Sequence, residues 1–106
     1  MTKPCKVNYL PASAYGGLDA NTIAYKQNIG GSEKPGIIWC GGLKSDMDGG
    51  KASFLHTWAE TQNHDFVRFD YFGHGASSGR FRDGTISRWT ADTLQVIDEL
   101  TDGPQI

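Results

Sequence analysis

The stretch Phe69-Asp70-Tyr71-Phe72-Gly73-His74-Gly75-Ala76-Ser77-Ser78-Gly79 changes character within a few residues. Its lead-in, Asp65-Phe66-Val67-Arg68-Phe69-Asp70-Tyr71, reads as a strand, with Phe66 part of its apolar content. The next segment, Gly73 to Gly84, reads as a long loop punctuated by Gly73, Gly75, Gly79 and Gly84. Upstream, the same event occurs in shorter form. Gly36-Ile37-Ile38-Trp39-Cys40 is a continuous apolar run that suits a strand buried on both faces, and Gly41-Gly42 ends it. Between the two lie a polar loop, Lys44 to Gly50, and a helical pattern, Lys51 to Thr61. Ala52, Leu55, Trp58 and Ala59 share one face of that helix. A strand, a helix and a strand in succession imply a right-handed parallel crossover.

Downstream, Thr85 is placed to cap a second helix in which Ile86, Trp89, Val96, Ile97 and Leu100 keep a helical period. Thr101-Asp102-Gly103 stops it, and Gly103-Pro104-Gln105-Ile106 reads as the lead-in to another strand. Toward the amino terminus, Asn8-Tyr9-Leu10-Pro11 and Thr22 to Gln27 read as the strands of a hairpin, joined through turn chemistry over Ser13 to Asn21. The expected order is β-β-β-α-β-α. The class is α/β, with a mostly parallel sheet after an amino-terminal hairpin.

The chain of 106 residues suits one domain, spanning Met1 to Ile106. Its 11% aromatics and 21% charged residues argue against general disorder. Ten Lys plus Arg against twelve Asp plus Glu give a net charge of −2, which supplies no basic field for nucleic acid or an anionic membrane. No apolar run is long enough to span a bilayer, and Met1 to Lys6 lacks the apolar core of a secretory signal. Cys5 and Cys40 make no disulfide framework and read as reduced thiols, so a cytoplasmic protein is expected. With three histidines at no recognised spacing they also make no metal site, and no cofactor is expected. Asp46 and Asp48 lack the glutamate of a calcium loop and read as helix-capping residues. His56 and His64 read as solvent-facing or capping, and Trp58 and Trp89 as core.

Of three glycine-rich spots, two sit where open α/β sheets bind ligands, at the carboxyl ends of strands. Gly41-Gly42-Leu43 is either a plain tight turn or a set of exposed N–H groups for an oxyanion or a phosphate. It is neither a Walker loop nor a dinucleotide fingerprint. Asp70, His74 and Ser77 imitate a compact catalytic triad, but such triads are assembled from distant segments. Asp70 and His74 are better read as shaping their own loop. Gly75-Ala76-Ser77-Ser78-Gly79 fits Gly-x-Ser-x-Gly, yet a nucleophile elbow needs its serine directly between a strand and a helix. Ser77 lies mid-loop, so it is not read as an elbow.

Taken together, Ile37 to Leu43, a helix, Phe69 to Ser77 and a second helix resemble the amino-terminal half of an α/β-hydrolase. Gly42 to Met47, Arg68 to Tyr71 and Arg80-Phe81 through Trp89 are similar to the branch containing the mitochondrial palmitoyl-protein thioesterase and acyl-glucuronide esterase. The resemblance implies a Ser-Asp/Glu-His hydrolase of a small-molecule ester or thioester. It implies that Leu43, with Gly42, supplies oxyanion-hole N–H groups, although many relatives have His-Gly where this chain has Gly41-Gly42. It implies that Asp70, Gly73, His74 and Gly75 form a structural loop outside the triad. In the family the nucleophile elbow comes after the next strand, so no triad residue is assignable here and the chain alone is expected to be inactive. A second expectation is a non-catalytic folding or interaction fragment, which self-associates through an exposed sheet edge or pairs with a carboxyl-terminal piece. A third, phosphate or nucleotide binding at Gly41-Gly42, lacks both a suitable lysine and a ribose-binding acid.

Overall fold

The structure, a computed structural model, describes residues 6–11, 21–31 and 33–106. Cys5 and most of the turn expected over Ser13 to Asn21 lie outside them. Four strands and two helices form in the expected order: β1 (Asn8–Pro11), β2 (Thr22–Asn28), β3 (Ile37–Trp39), α1 (Gly50–Thr61), β4 (Phe66–Phe69) and α2 (Ile86–Leu100). A single 3-10 turn, Phe81–Asp83, precedes α2. The sheet is mixed, in the order β1-β2-β4-β3. The hairpin is antiparallel with Asn8 opposite Tyr25, and β2 also runs antiparallel to β4. β3 and β4 run parallel, with Ile38 opposite Val67.

The lead-in expected after α2 is present. Gly36 and Gln105 form a parallel bridge, and the Ile38 N–H donates to the Ile106 carbonyl at 3.0 Å. The chain thus starts a further parallel strand against the outer edge of β3.

The strand buried on both faces is β4, not β3. All four β4 residues are buried, whereas Ile37, Ile38 and Trp39 are half-buried. The reason is position: β4 is interior and β3 is at the sheet edge. Alternation along β4 divides its side chains between the two helices. Val67 and Phe69 join Leu10, Ile23 and Val96 of α2 in one cluster. Phe66 and Arg68 meet His56 of α1. Each fully buried large apolar side chain contributes about 1.5–3 kcal/mol.

Both helices end where their chemistry dictates, but the face each buries keeps only part of the expected apolar set, Ala52 and Ala59 in α1 and Val96 in α2, and takes in polar residues. Thr85 caps α2 by accepting the Arg88 N–H at 3.0 Å. α1 closes with Asn63 at positive φ, its N–H reaching the Glu60 carbonyl and that of His64 reaching Ala59. The buried residues of α1 are Ala52, His56 and Ala59, while Trp58 is 42% exposed and stacks on His64. In α2 they are Ala91, Asp92, Gln95 and Val96, and Ile86 and Ile97 are exposed. Asp46 and Asp48 do not cap α1; Gly49 is its N-cap, without a side-chain bond. Asp46 instead accepts the Asp48 N–H, and Asp48 pairs with Lys26.

Candidate functional site

The two loops at the carboxyl ends of β3 and β4 lie side by side, because those strands are parallel neighbours. The β4 loop closes on itself. The N–H groups of Gly73, His74 and Ser77 reach the Ser78, Tyr71 and His74 carbonyls. Asp70, buried at the loop's entrance, accepts the Ala76 N–H through Oδ2 at 2.8 Å and the Met47 N–H through Oδ1 at 2.7 Å. It therefore staples the β4 loop to the polar loop ahead of α1. Burial raises the Asp70 pKa, and those two backbone donors partly oppose the rise.

Gly73 and Gly75 are glycines for a physical reason. Both have positive φ, and a Cβ would meet the Arg80–Phe81 backbone at Gly73 and the Asp70 carboxylate at Gly75.

Ser77 is part of this closure. Its hydroxyl donates to the Asp70 carbonyl at 2.5 Å and accepts the Ala24 N–H at 2.8 Å. Ser78 bonds Thr22 in the same way, sewing the loop to β2. A 3-10 turn, not a helix, comes next, so Ser77 is not at a strand-to-helix elbow.

His74 is buried among the rings of Tyr71, Phe81 and Trp89. Its Nδ1 lies 3.0 Å from the Phe72 carbonyl and its Nε2 3.0 Å from the Lys44 N–H. A carbonyl only accepts and an amide N–H only donates, so Nδ1 carries the proton and Nε2 the lone pair. Both ring nitrogens are committed to backbone. Neither is left to act as a base.

The β3 loop is built the other way, held at its ends and open in its middle. The Tyr71 hydroxyl donates to the Gly41 carbonyl at 3.0 Å. Burial, and secondarily the neighbouring Cys40, push the Tyr71 phenol up to about 12, so it remains a donor. Burial likewise raises Cys40, tempered by its hydrogen bond with Tyr71. At the far end, His74 takes the Lys44 N–H. The Ser45 N–H closes a turn on the Gly42 carbonyl at 3.0 Å. Within the described residues, no hydrogen bond takes up the N–H of Gly42 or Leu43. Leu43 is 66% exposed. Two clefts flank the loop, one of about 240 Å³ bordered by Tyr71, His74 and Trp89, the other of about 210 Å³ bordered by Trp39 and Ser45.

Behind these loops lies a cluster that helical and strand patterning misses. Arg68, buried on β4, donates Nε to His56 Nδ1 at 2.9 Å, and its Nη1 reaches the Met47 carbonyl and the Ser53 hydroxyl. His56 is thus neither solvent-facing nor capping but buried. Burial first, then the charges of Arg68 and Lys26, lower its pKa to about 4, so it stays neutral and accepts. His64 bonds the Pro35 carbonyl through Nδ1. Among the described residues no group of three His, Cys, Asp or Glu side chains could hold a metal ion, and no helix is long and apolar enough to cross a membrane.

No family model matches the chain. The mitochondrial palmitoyl-protein thioesterase of Homo sapiens is 42% identical to it over 88 residues, 83% of this chain and 28% of that protein. A hydrolase from Agrobacterium vitis S4 has a solved structure that matches with a TM-score of 0.81 and 41% identity, over 92% of this chain and 37% of the other. The mouse α/β-hydrolase domain-containing protein 10 matches with a TM-score of 0.80 and 32% identity, over 94% of this chain and 37% of the other. The chain thus spans little more than a quarter of the curated relatives it matches. Sheet order, carboxyl-end loops and these likenesses agree: the chain belongs to the α/β-hydrolases and carries part of their fold, similar to the palmitoyl-protein thioesterase branch.

Proposed function

We propose that this chain supplies the oxyanion-binding loop of a serine hydrolase that transfers the acyl group of a small ester or thioester to water. The observation that carries the reading is the pair of uncommitted N–H groups at Gly42 and Leu43, on a loop held on either side by Tyr71 and His74. Preorganised donors of this kind stabilise the negative charge that develops on the carbonyl oxygen under attack. Losing one commonly costs about 10²–10³ in kcat.

In this reading the nucleophile, acid and histidine of the triad lie outside these 106 residues, and the chain alone turns nothing over. Ser77 is bound to backbone, and His74, His56 and His64 each bond partners other than a serine nucleophile. The test is hydrolysis of a chromogenic short-chain ester by the purified chain, with Ser77→Ala beside it. The expected result is no turnover above buffer for either. Turnover that survives purification and disappears in Ser77→Ala would overturn the reading.

One observation favours a second reading, an interaction fragment. β3 ends the strand order, and residues 104–106 bond its outer edge only at Gly36 and Ile38; nearby, Trp39 is half-buried and Phe54 is 71% exposed. Apolar surface along so briefly paired an edge is a template for pairing with a second copy or a separate carboxyl-terminal piece. Light scattering that shows a strict monomer at high concentration would count against pairing with a second copy.

A further inference from the structure

We propose that His74 is a positioning residue that locks the oxyanion loop through the peptide between Leu43 and Lys44. This rests on the hydrolase reading above and adds a residue to it. Gly42 to Ser45 form a four-residue turn closed by the Ser45 N–H on the Gly42 carbonyl. Lys44, at the third position, has φ of 62°, and Leu43 is not at positive φ. That combination is a type II turn, whose third position demands positive φ and ordinarily takes glycine. A lysine there is strained. A type I turn would relieve it by flipping the Leu43–Lys44 peptide.

Such a flip would turn the Lys44 N–H away from His74 and bring the Leu43 carbonyl round in its place. The backbone angles of Leu43 would change with it. The Gly42 and Leu43 N–H groups sit on the two preceding peptides, so the flip acts on them through the Leu43 carbonyl, whose dipole it reverses beside them. His74 opposes the flip, because Nε2, fixed as a bare acceptor by the Nδ1 bond to Phe72, receives the Lys44 N–H and repels a carbonyl. Tyr71, Phe81 and Trp89 hold the ring edge-on, and the Trp89 indole N–H shares the Phe72 carbonyl at 2.9 Å. The histidine of the β4 loop thus sets the conformation of the β3 loop without touching substrate.

Three variants separate this role from packing. His74→Asn keeps a donor for the Phe72 carbonyl and loses the acceptor for Lys44. His74→Gln can return an acceptor to the Nε2 position. Lys44→Gly removes the strain, so the turn no longer needs the histidine. The first readout is amide hydrogen exchange of the chain. Exchange at Lys44 should rise about fivefold to tenfold in His74→Asn and stay near wild type in His74→Gln. Unchanged Lys44 exchange in His74→Asn would overturn the proposal whatever the activity. The second readout is steady-state kinetics of the catalytically active protein that contains this chain, with p-nitrophenyl acetate. His74→Asn should lower kcat about tenfold or more with little change in KM, and adding Lys44→Gly should recover most of the loss. A matched loss of kcat and thermal stability without recovery by Lys44→Gly would mean packing only, and would also overturn the proposal. Absent wild-type hydrolysis would remove the hydrolase reading, and the exchange result alone would then decide whether His74 holds the turn.

Discussion

The loops after β3 and β4 are neighbours, both glycine-rich, both at the carboxyl end of a parallel strand, and they do opposite work. The β4 loop carries the residues that look chemical, a histidine, an aspartate and serines. All four, Asp70, His74, Ser77 and Ser78, bond backbone. The β3 loop looks empty, with two glycines and a leucine, yet it holds the open donors. Here the polar side chains shape a scaffold, and the donors left open belong to the bare backbone. A serine or histidine in a regular expression is informative only once its partners are counted.

The largest effect should come from the residue that joins the two loops. Asp70→Ala orphans the Met47 and Ala76 N–H groups and is expected to cost about 3–5 kcal/mol, most of a small domain's stability. Urea denaturation measures it; a loss below about 1 kcal/mol would mean that the loops are not stapled there.

Next comes a matched pair of glycines. Gly75→Ala forces an alanine to φ of 47° and into the Asp70 carboxylate, for an expected loss of about 2–3 kcal/mol. Gly42→Ala meets only the Ser45 hydroxyl at 3.5 Å and should stay within about 0.5 kcal/mol. Equal losses in thermal melts would erase the distinction between scaffold and site. Ser77→Ala ranks below them, at about 1–2 kcal/mol, because the Ala24 N–H loses its acceptor.

A separate effect is one of pH. The folded state holds His56 near 4, below its ordinary 6.5, so the unfolded chain binds more protons between those values. The His56 contribution is complete above pH 6.5 and is lost as pH falls toward 4. Protonation would also turn the Nδ1 acceptor of the Arg68 Nε–H into a second donor facing it. Stability measured across that window in wild type and His56→Gln should differ in slope, and parallel curves would rule His56 out.

Much of the fold is legible in the sequence because it is local. The Thr85 cap, the β1–β2 hairpin and the two glycine-terminated strands each depend on a few adjacent residues. The inward faces of the helices are less legible, because buried polar groups decide them. His56 displaces Trp58 from the interior since Arg68, from another element, needs its acceptor. Asp92 and Gln95 face inward on α2 to receive the Phe72 N–H and to bond the Pro11 carbonyl. Hydrophobic spacing does not register such partners. At the site, Gly42 and Leu43 are reached from the glycine pair after a strand and from the family resemblance, but the His74–Lys44 bond, which joins residues thirty positions apart, is not legible.

The most direct test is residue-resolved amide hydrogen exchange on the wild-type chain. Lys44, Met47 and Ala76 should be protected by His74 and Asp70, while Gly42 and Leu43, just ahead of Lys44, should exchange at nearly unprotected rates. Protection of Gly42 and Leu43 equal to that of Lys44 would mean that their N–H groups are already committed, and would contradict the claim that the β3 loop holds the open donors.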